Sequence, residues 1–365
     1  MNRRNFMVRG AGALAGLSAL GLLGNCAFAQ DGAQGANMID ANTQRAIDTG
    51  LDWLSRQQDA GDGSFGTGNY RGNVAVTSLA GLAFMASGSQ PNRGRYGEQV
   101  TRCVRNIINC EERGRPGFLN NQRAGFHGPM YGHGFATLFL AEVYGMINEP
   151  NLRHELRLTL GRAVRLIIDT QNDVGGWRYQ PVRGDADLSV TICQIMALRA
   201  ARNAGIYVPA GVARNCTQYV QRCQDPNSGG FSYQHFGGMP GFARTAAGVV
   251  ALYSAGIYEG QSVERGLAYL NARRPGGGGG GGGFLNNAEN AMHYFYGHYY
   301  AVQAMWIAGG DHWRNWYPAI KNELLTQYRR ADGSWQQNLM CSHYCTAMAL
   351  IILQVPNNYL PILQR

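Results

Sequence analysis

One unit recurs six times in this sequence, and a chain built that way folds by stacking each unit on the next. The clearest copy runs from Arg165 to Gly205. It reads as an amphipathic helix ending near Gln171, a Gly-Gly-aromatic turn, an extended segment, a polar entry at 185–189 and an apolar helix closed by Gly205. Glycine after the last apolar residue is a helix stop. The turn aromatic returns as Phe65, Phe118, Trp177, Phe231, Phe284 and Trp335, a spacing of about 50–60 residues. Each turn precedes a small, apolar second helix, at 73–86, 131–146, 187–204, 241–255, 296–308 and 341–354. The first helices are one-sided, with Ile47, Leu51 and Leu54 along one stripe, whereas the second helices are apolar nearly all round and need burial on both sides. Two concentric rings meet both demands. The pattern therefore predicts an all-α fold, a closed α/α toroid of six helical hairpins, as one domain over residues 30–365.

Residues 1–29 read as an export signal: Arg3-Arg4 with Asn2, Phe6 and Met7, a mildly apolar run, then Ala27-Phe28-Ala29 for cleavage. This stretch resembles the twin-arginine type, which implies export of a folded protein to the periplasm or cell envelope. No other run is long and apolar enough to span a bilayer. Formal net charge is +9, and Arg3, Arg4 and Arg9 lie in the leader. The remaining arginines are dispersed, which argues against a nucleic-acid partner. Cys26 falls in the leader, leaving seven cysteines. Cys103/Cys110 and Cys216/Cys223 share an i, i+7 spacing, about 10 Å along a helix and too far for a disulfide within either pair. Small, buried, apolar packing is the role expected of them. The glycine tract at 276–283, within Arg273–Phe284, lengthens the fifth turn, as an exposed tether.

Chemistry is expected where the inner helices begin, because their free N–H groups and positive dipole ends face the hub. Aligned on later apolar residues, the six starts are Asn73, Tyr131, Asp187, Gly241, Tyr296 and Cys341. Two residues on, His133, His298 and His343 fall at equivalent places in repeats two, five and six. Aromatic residues Tyr131, Tyr296, Tyr299, Tyr300 and Trp306 crowd two of these helices and, with His133, form a candidate substrate wall. Asp185 and Asp187 are the acids at the third start. Asp187 also reads as an N-cap before Ser189 and an apolar run. Glu142 and Glu289 are the other acids near the starts, and neither aligns with the ring.

Six hairpins with Gly-rich aromatic turns resemble the prenyltransferase and squalene-oxidase (squalene–hopene cyclase) repeat superfamily over essentially the whole chain beyond the leader. The segment "YGHYYAVQ", Tyr296 to Gln303, is similar to the Asp-Gly-Cys-Tyr…Gln zinc motif of protein prenyltransferase β subunits. That resemblance implies a zinc ion on His298 and His343, with Tyr296 where the family has Asp and Cys341 as a substitute thiolate. Three protein ligands and an open position would make the zinc catalytic. Asp185-Ala186-Asp187-Leu188-Ser189 resembles the cyclase Asp-x-Asp-Asp-Thr motif, Asp187 matching the proton-donating Asp, Ser189 the Thr, and Leu188 replacing the last carboxylate, which makes Asp185 and Asp187 the candidate catalytic carboxylates. A thioester toroid is excluded, since Tyr96 stands where the reactive Cys would precede Gly97-Glu98-Gln99. The resemblance implies an exported isoprenoid-handling protein with an aromatic cavity for a hydrophobic small molecule. The alternatives are a non-catalytic toroid that binds a lipid or peptide and a carbohydrate-active α/α toroid, since stacked aromatic faces also suit sugar rings.

Overall fold

A computed structural model of the chain describes residues 38–121, 128–276, 293–337 and 340–364. The leader, the glycine tract, Phe284 and Glu289 lie outside them. Among the described residues the secondary structure is helical, with isolated β-bridges only. The outer helices are α1 (Ala41–Arg56), α3 (Gly97–Asn109), α5 (Pro150–Thr170), α7 (Ala210–Arg222), α9 (Gln261–Asn271) and α11 (Gly310–Glu323). The inner ones are α2 (Val74–Ala86), α4 (Pro129–Tyr144), α6 (Leu188–Asn203), α8 (Phe242–Ser254), α10 (Tyr294–Ala308) and α12 (Ser342–Gln354). Consecutive inner helices pack on one another, and α12 returns to pack on α2, which closes the ring. Outer helices lie against the inner helix before them, α1 completing the circle on α12. This is the expected α/α toroid.

The turns hold the rings together with a repeated set of bonds. The N–H groups of Phe65, Trp177, Phe231 and Trp335 donate to Thr77, Thr191, Thr245 and Thr346 Oγ1 of the following inner helix, at 2.9–3.1 Å. Gln58, Gln171 and Gln224 each donate through Nε2 both to a turn carbonyl and to a carbonyl of the next outer helix region, at Gln99, Val212 and Ser262. Repeat two replaces this glutamine by Glu111, which accepts from Gly117 N–H and the Arg162 guanidinium instead. Gly175, at φ 97°, allows a close approach between repeats: a Cβ there would fall on the carbonyl oxygen of Asn215 in α7. Gly333 does the same across the seam, pressing repeat six against Thr49 of α1.

Burial follows the patterns in the sequence. In α6 every residue from Leu188 to Ala201 is buried except Ser189, and each fully buried large aliphatic side chain contributes about 1.5–3 kcal/mol. At the C-terminal ends of the inner helices the last residues of the chain fill the ring. Gln354 Nε2 donates to Ala83 O and Asn357 Nδ2 to Ala86 O, both 3.1 Å. Ile362 N–H donates to the buried Glu142 carboxylate at 3.0 Å, and Arg199 Nη2 donates to Gln364 O. The cysteines behave as expected: the seven among the described residues are free thiols, six of them buried.

Closure makes the seam sensitive to one methyl group. In Gly333→Ala the added Cβ meets Thr49 Cγ2 at 2.6 Å with φ at 94°, so urea unfolding should show a loss of about 2 kcal/mol. Gly145→Ala, where φ is −72° and nothing lies within 4 Å, should stay within about 1 kcal/mol of the parent. Equal midpoints for the two variants would contradict the tight seam.

Candidate functional site

The N-terminal ends of all six inner helices converge on a cavity of about 680 Å³ at the hub. Its walls are largely aromatic: Tyr70, Tyr131, Phe135, Tyr179, Tyr233, Phe242, Tyr296 and Tyr344. Polar groups enter from Asn73, Arg178, Ser189, Arg244 and His293. Asn73 caps α2 by accepting from the N–H groups of Ala75 and Val76.

The most organised corner is the start of α6. Asp187 caps that helix: its Oδ1 accepts from Val190 N–H at 2.9 Å and from Ser189 Oγ at 2.6 Å. The Ser189 hydroxyl also pairs with Tyr131 OH at 2.5 Å, and its carbonyl accepts from Tyr296 OH at 2.8 Å. Tyr179 and Tyr233 are joined through their hydroxyls. Arg178 sets Nε 3.8 Å from Asp187 Oδ2, gives Nη1 to Asp185, and lies over the Tyr179 ring at 5.1 Å. Asp187 is fully buried. Burial pushes its carboxyl above the usual range, opposed by hydrogen bonds from Ser189, Val190 and Tyr233 and by the Arg178 charge. Burial likewise raises the phenols of Tyr131 and Tyr296 well above their ordinary value, so both remain neutral hydroxyls near neutral pH.

Of the residues expected at the site, Tyr131, Tyr296 and Ser189 line the cavity, and Asp187 stands directly behind Ser189. Asp185 sits at the outer side of Arg178, its side chain 56% exposed. Tyr299 and Tyr300 are buried beside it, with Tyr299 against Phe135 and Tyr300 OH meeting Cys193 Sγ at 3.4 Å. Trp306 lies toward the other end of α10, its ring 4.8 Å from that of Trp313. It is not part of the wall.

The three histidines do not share a place. Helices α4 and α10 begin two residues earlier than expected, at Pro129 and Tyr294, which sets their histidines three places further along the helix than His343 in α12, a helix that starts at Ser342. His133 becomes the fifth residue of α4, the place of Thr346 in α12. There it takes over the threonine's task, its Nδ1 accepting from Leu119 N–H at 3.2 Å. His298 occupies the same place in α10, packed among Phe242, Tyr294 and Trp316. His343 accepts Gly66 N–H at 3.0 Å, and Cys341 accepts from Thr67 at 3.4 Å. Both of these bonds belong to the seam. His298, His343 and Cys341 therefore do not converge, and among the described residues no group of three His, Cys, Asp or Glu side chains could hold a metal ion.

Sequence reasoning passed over Arg178, Tyr179, Tyr233 and Arg244. A signal for two of them was present: Trp177-Arg178-Tyr179 and Phe231-Ser232-Tyr233 place a tyrosine two residues after the turn aromatic. Because the turn leads straight to the hub, that position reaches the cavity.

The fold is similar to that of a GH76 α-1,6-mannanase from Salegentibacter sp. HEL1_6, solved as an inactive variant with α-1,6-mannotetrose. The TM-score is 0.59 at 10% identity, covering 87% of this chain and 99% of that one. It is also similar to a GH76 α-mannanase from Bacteroides thetaiotaomicron, with TM-score 0.51, 13% identity and coverage of 89% and 98%. Identities this low speak for the fold alone. The sequence matches no protein-family model and no curated protein. These neighbours correct the expected resemblance: they are α-mannanases rather than prenyltransferases or terpenoid cyclases, and the part of the resemblance that stands is the toroid. No helix among the described residues is long and apolar enough to cross a membrane.

The buried titratable groups give the fold a pH signature. Burial depresses His133 and His343 to about 4 and His298 to about 3. The unfolded chain protonates its histidines near 6.5, so the stability these three contribute is complete above that pH and is lost as the pH falls toward 4. Glu142 is raised to about 7 by burial; its contribution is complete below about 4.5 and is lost as the pH rises through 7. Burial raises Asp187 and Glu323 in the same sense as Glu142, but the three histidine shifts together are the larger, so the urea midpoint should fall between pH 7 and 4.5. Glu142→Gln, which removes one of the opposing carboxyls, should fall more steeply, and a flat profile in both proteins would contradict these assignments.

Proposed function

We propose that the hub cavity binds a saccharide and that the protein is a carbohydrate-active α/α toroid. The observation that carries this reading is the lining: flat tyrosine and phenylalanine faces interleaved with hydroxyl, amide and guanidinium groups. Sugar rings present an apolar C–H face for stacking and a rim of hydroxyls for hydrogen bonding, and such a wall answers both. The similarity in fold to α-1,6-mannanases, one of them holding a mannotetrose, supports the same reading.

For bond cleavage, Asp187 is the acid the site offers. A carboxyl whose charge is disfavoured by burial can hold a proton, and the Ser189 and Tyr131 hydroxyls link Asp187 to the cavity wall. Glycoside hydrolysis uses two carboxylates, and Asp185, across Arg178, is the second one present. The Salegentibacter mannanase variant is described as inactive after replacement of two adjacent aspartates. This sequence contains no adjacent aspartates, so its carboxylate pair differs in spacing from that one.

Calorimetric titration with a panel of oligosaccharides, including α-1,6-mannotetrose, tests the reading. At least one saccharide should bind, and Tyr131→Ala should weaken it about tenfold or more by removing a stacking face and the Ser189 hydrogen bond. Product analysis with the bound sugar should show Asp187→Asn reducing turnover at least a hundredfold. Failure of every saccharide to bind, with the protein folded, would reject the proposal.

A further inference from the structure

We infer that the hub takes one part of a longer saccharide chain, and that the loop 234–240 at its mouth is a further subsite, where Phe236 stacks on a ring of the same chain. The inference rests on the saccharide reading above and adds the length of the ligand to it. Its ground is where this loop is tied. Tyr233 and Gly241, which flank it, both line the cavity. Phe236 is three residues from Tyr233, and Met239 is two from Gly241. At about 3.3–3.6 Å per residue, their Cα atoms lie within roughly 11 Å and 7 Å of those wall residues. The tip of the loop therefore stands at the mouth.

The neck of the loop is fixed from both sides. Leu188 N–H donates to Tyr233 O at 2.9 Å, Gly241 N–H to Phe231 O at 3.2 Å, and Gln234 Nε2 to Ala186 O at 3.0 Å. Ser232 Oγ donates to Gly238 O at 2.7 Å, and Tyr269 OH of α9 to Pro240 O at 3.2 Å. The first set joins the loop to the start of α6, beside Asp187 and Ser189. The aromatic side chain is held as well: the His235 ring lies 5.6 Å from that of buried Tyr219 in α7, and the Phe236 ring 5.3 Å from His235. Yet the tip is bare. Phe236 is 73% and Met239 85% exposed, and a Cβ on Gly237 or Gly238 would meet nothing within 4 Å. A single apolar side chain in water is ordinary, but these two share one loop that leaves and re-enters the cavity wall. The occupant follows from that continuity. An aromatic face at the rim offers a sugar ring the same stacking as the faces inside the hub. A chain already held in the hub makes this second contact intramolecularly, so the contact adds to affinity without a second association.

The test is titration calorimetry on the intact protein with manno-, cello- and xylo-oligosaccharides, each from disaccharide to octasaccharide. In the series that binds, affinity should rise at least about tenfold from the shortest to the longest member. Phe236→Ala should abolish that rise, whereas Phe236→Trp, which keeps an aromatic face, should retain it. Because the tip is exposed, neither change should move the urea midpoint appreciably. A rise that survives in Phe236→Ala, or an affinity in the parent protein that does not grow with length, overturns the inference and leaves the saccharide reading standing. Equal weakening of every length by Phe236→Ala also overturns it, since the loop would then act on the ring in the hub itself. If no saccharide in the three series binds, both fall.

Discussion

A ring of hairpins encloses a hub only where its last unit packs on its first, and here helices, turns and side-chain hydrogen bonds all meet across that seam. Helix α12 packs on α2 and α1 on α12. Gly333 lies against Thr49, and His343 accepts the Gly66 N–H. The cavity wall depends on those contacts directly. Tyr70 and Asn73 come from the first repeat, Met340 and Tyr344 from the last, and they face one space only because the circle is shut. An open superhelix of the same hairpins would keep nearly all its local hydrogen bonds and lose the site.

The polar interior follows from the same geometry. Inner helices point their N-terminal ends at the hub, so whatever caps them becomes part of the cavity's lining or its support. Asn73 does this for α2 and Asp187 for α6. Asp187 thus has two roles that do not compete: Oδ1 fixes the helix start and positions Ser189, while Oδ2 faces Arg178 and Tyr233. The same burial that keeps the carboxyl from ionising freely keeps the surrounding phenols neutral. Among the described residues the hub lining thus offers aromatic faces, hydroxyls and guanidinium groups, with Asp187 held behind Ser189, and this is the physical basis of the proposed saccharide reading.

Much of the fold was legible in the sequence because it rests on periodicity. Turn aromatics at regular spacing, one-sided outer helices and all-apolar inner helices each have a single geometrical consequence, and the six hairpins follow from them. The site was legible only in part. Tyr131, Tyr296, Ser189 and Asp187 were found because helix starts can be located from capping residues and apolar runs. The histidine alignment failed for a physical reason. Helix α4 starts at Pro129, a proline at the first helical position that marks a start and was passed over. Helix α10 starts at Tyr294, which carries no such mark. The resulting slip of three residues relative to His343 rotates a side chain by roughly 300°. His133 thereby moved from the supposed hub onto the turn, where it substitutes for threonine. Arg178, Tyr233 and Arg244 come from three points along the chain and meet only in the folded ring.

The closure of that ring can be tested with one covalent bond. Thr67 Oγ1 lies 3.4 Å from Cys341 Sγ across the seam, 274 residues away along the chain. This side-chain separation suits a disulfide after small adjustment. Thr67→Cys should form a disulfide to Cys341 within one chain under mild oxidation, detected as a linked peptide pair by mass spectrometry while the denatured, unreduced protein keeps the mass of a single chain. Recovery of both thiols free in the folded, oxidised variant, or linkage only between separate molecules, would contradict a closed toroid and the hub that depends on it.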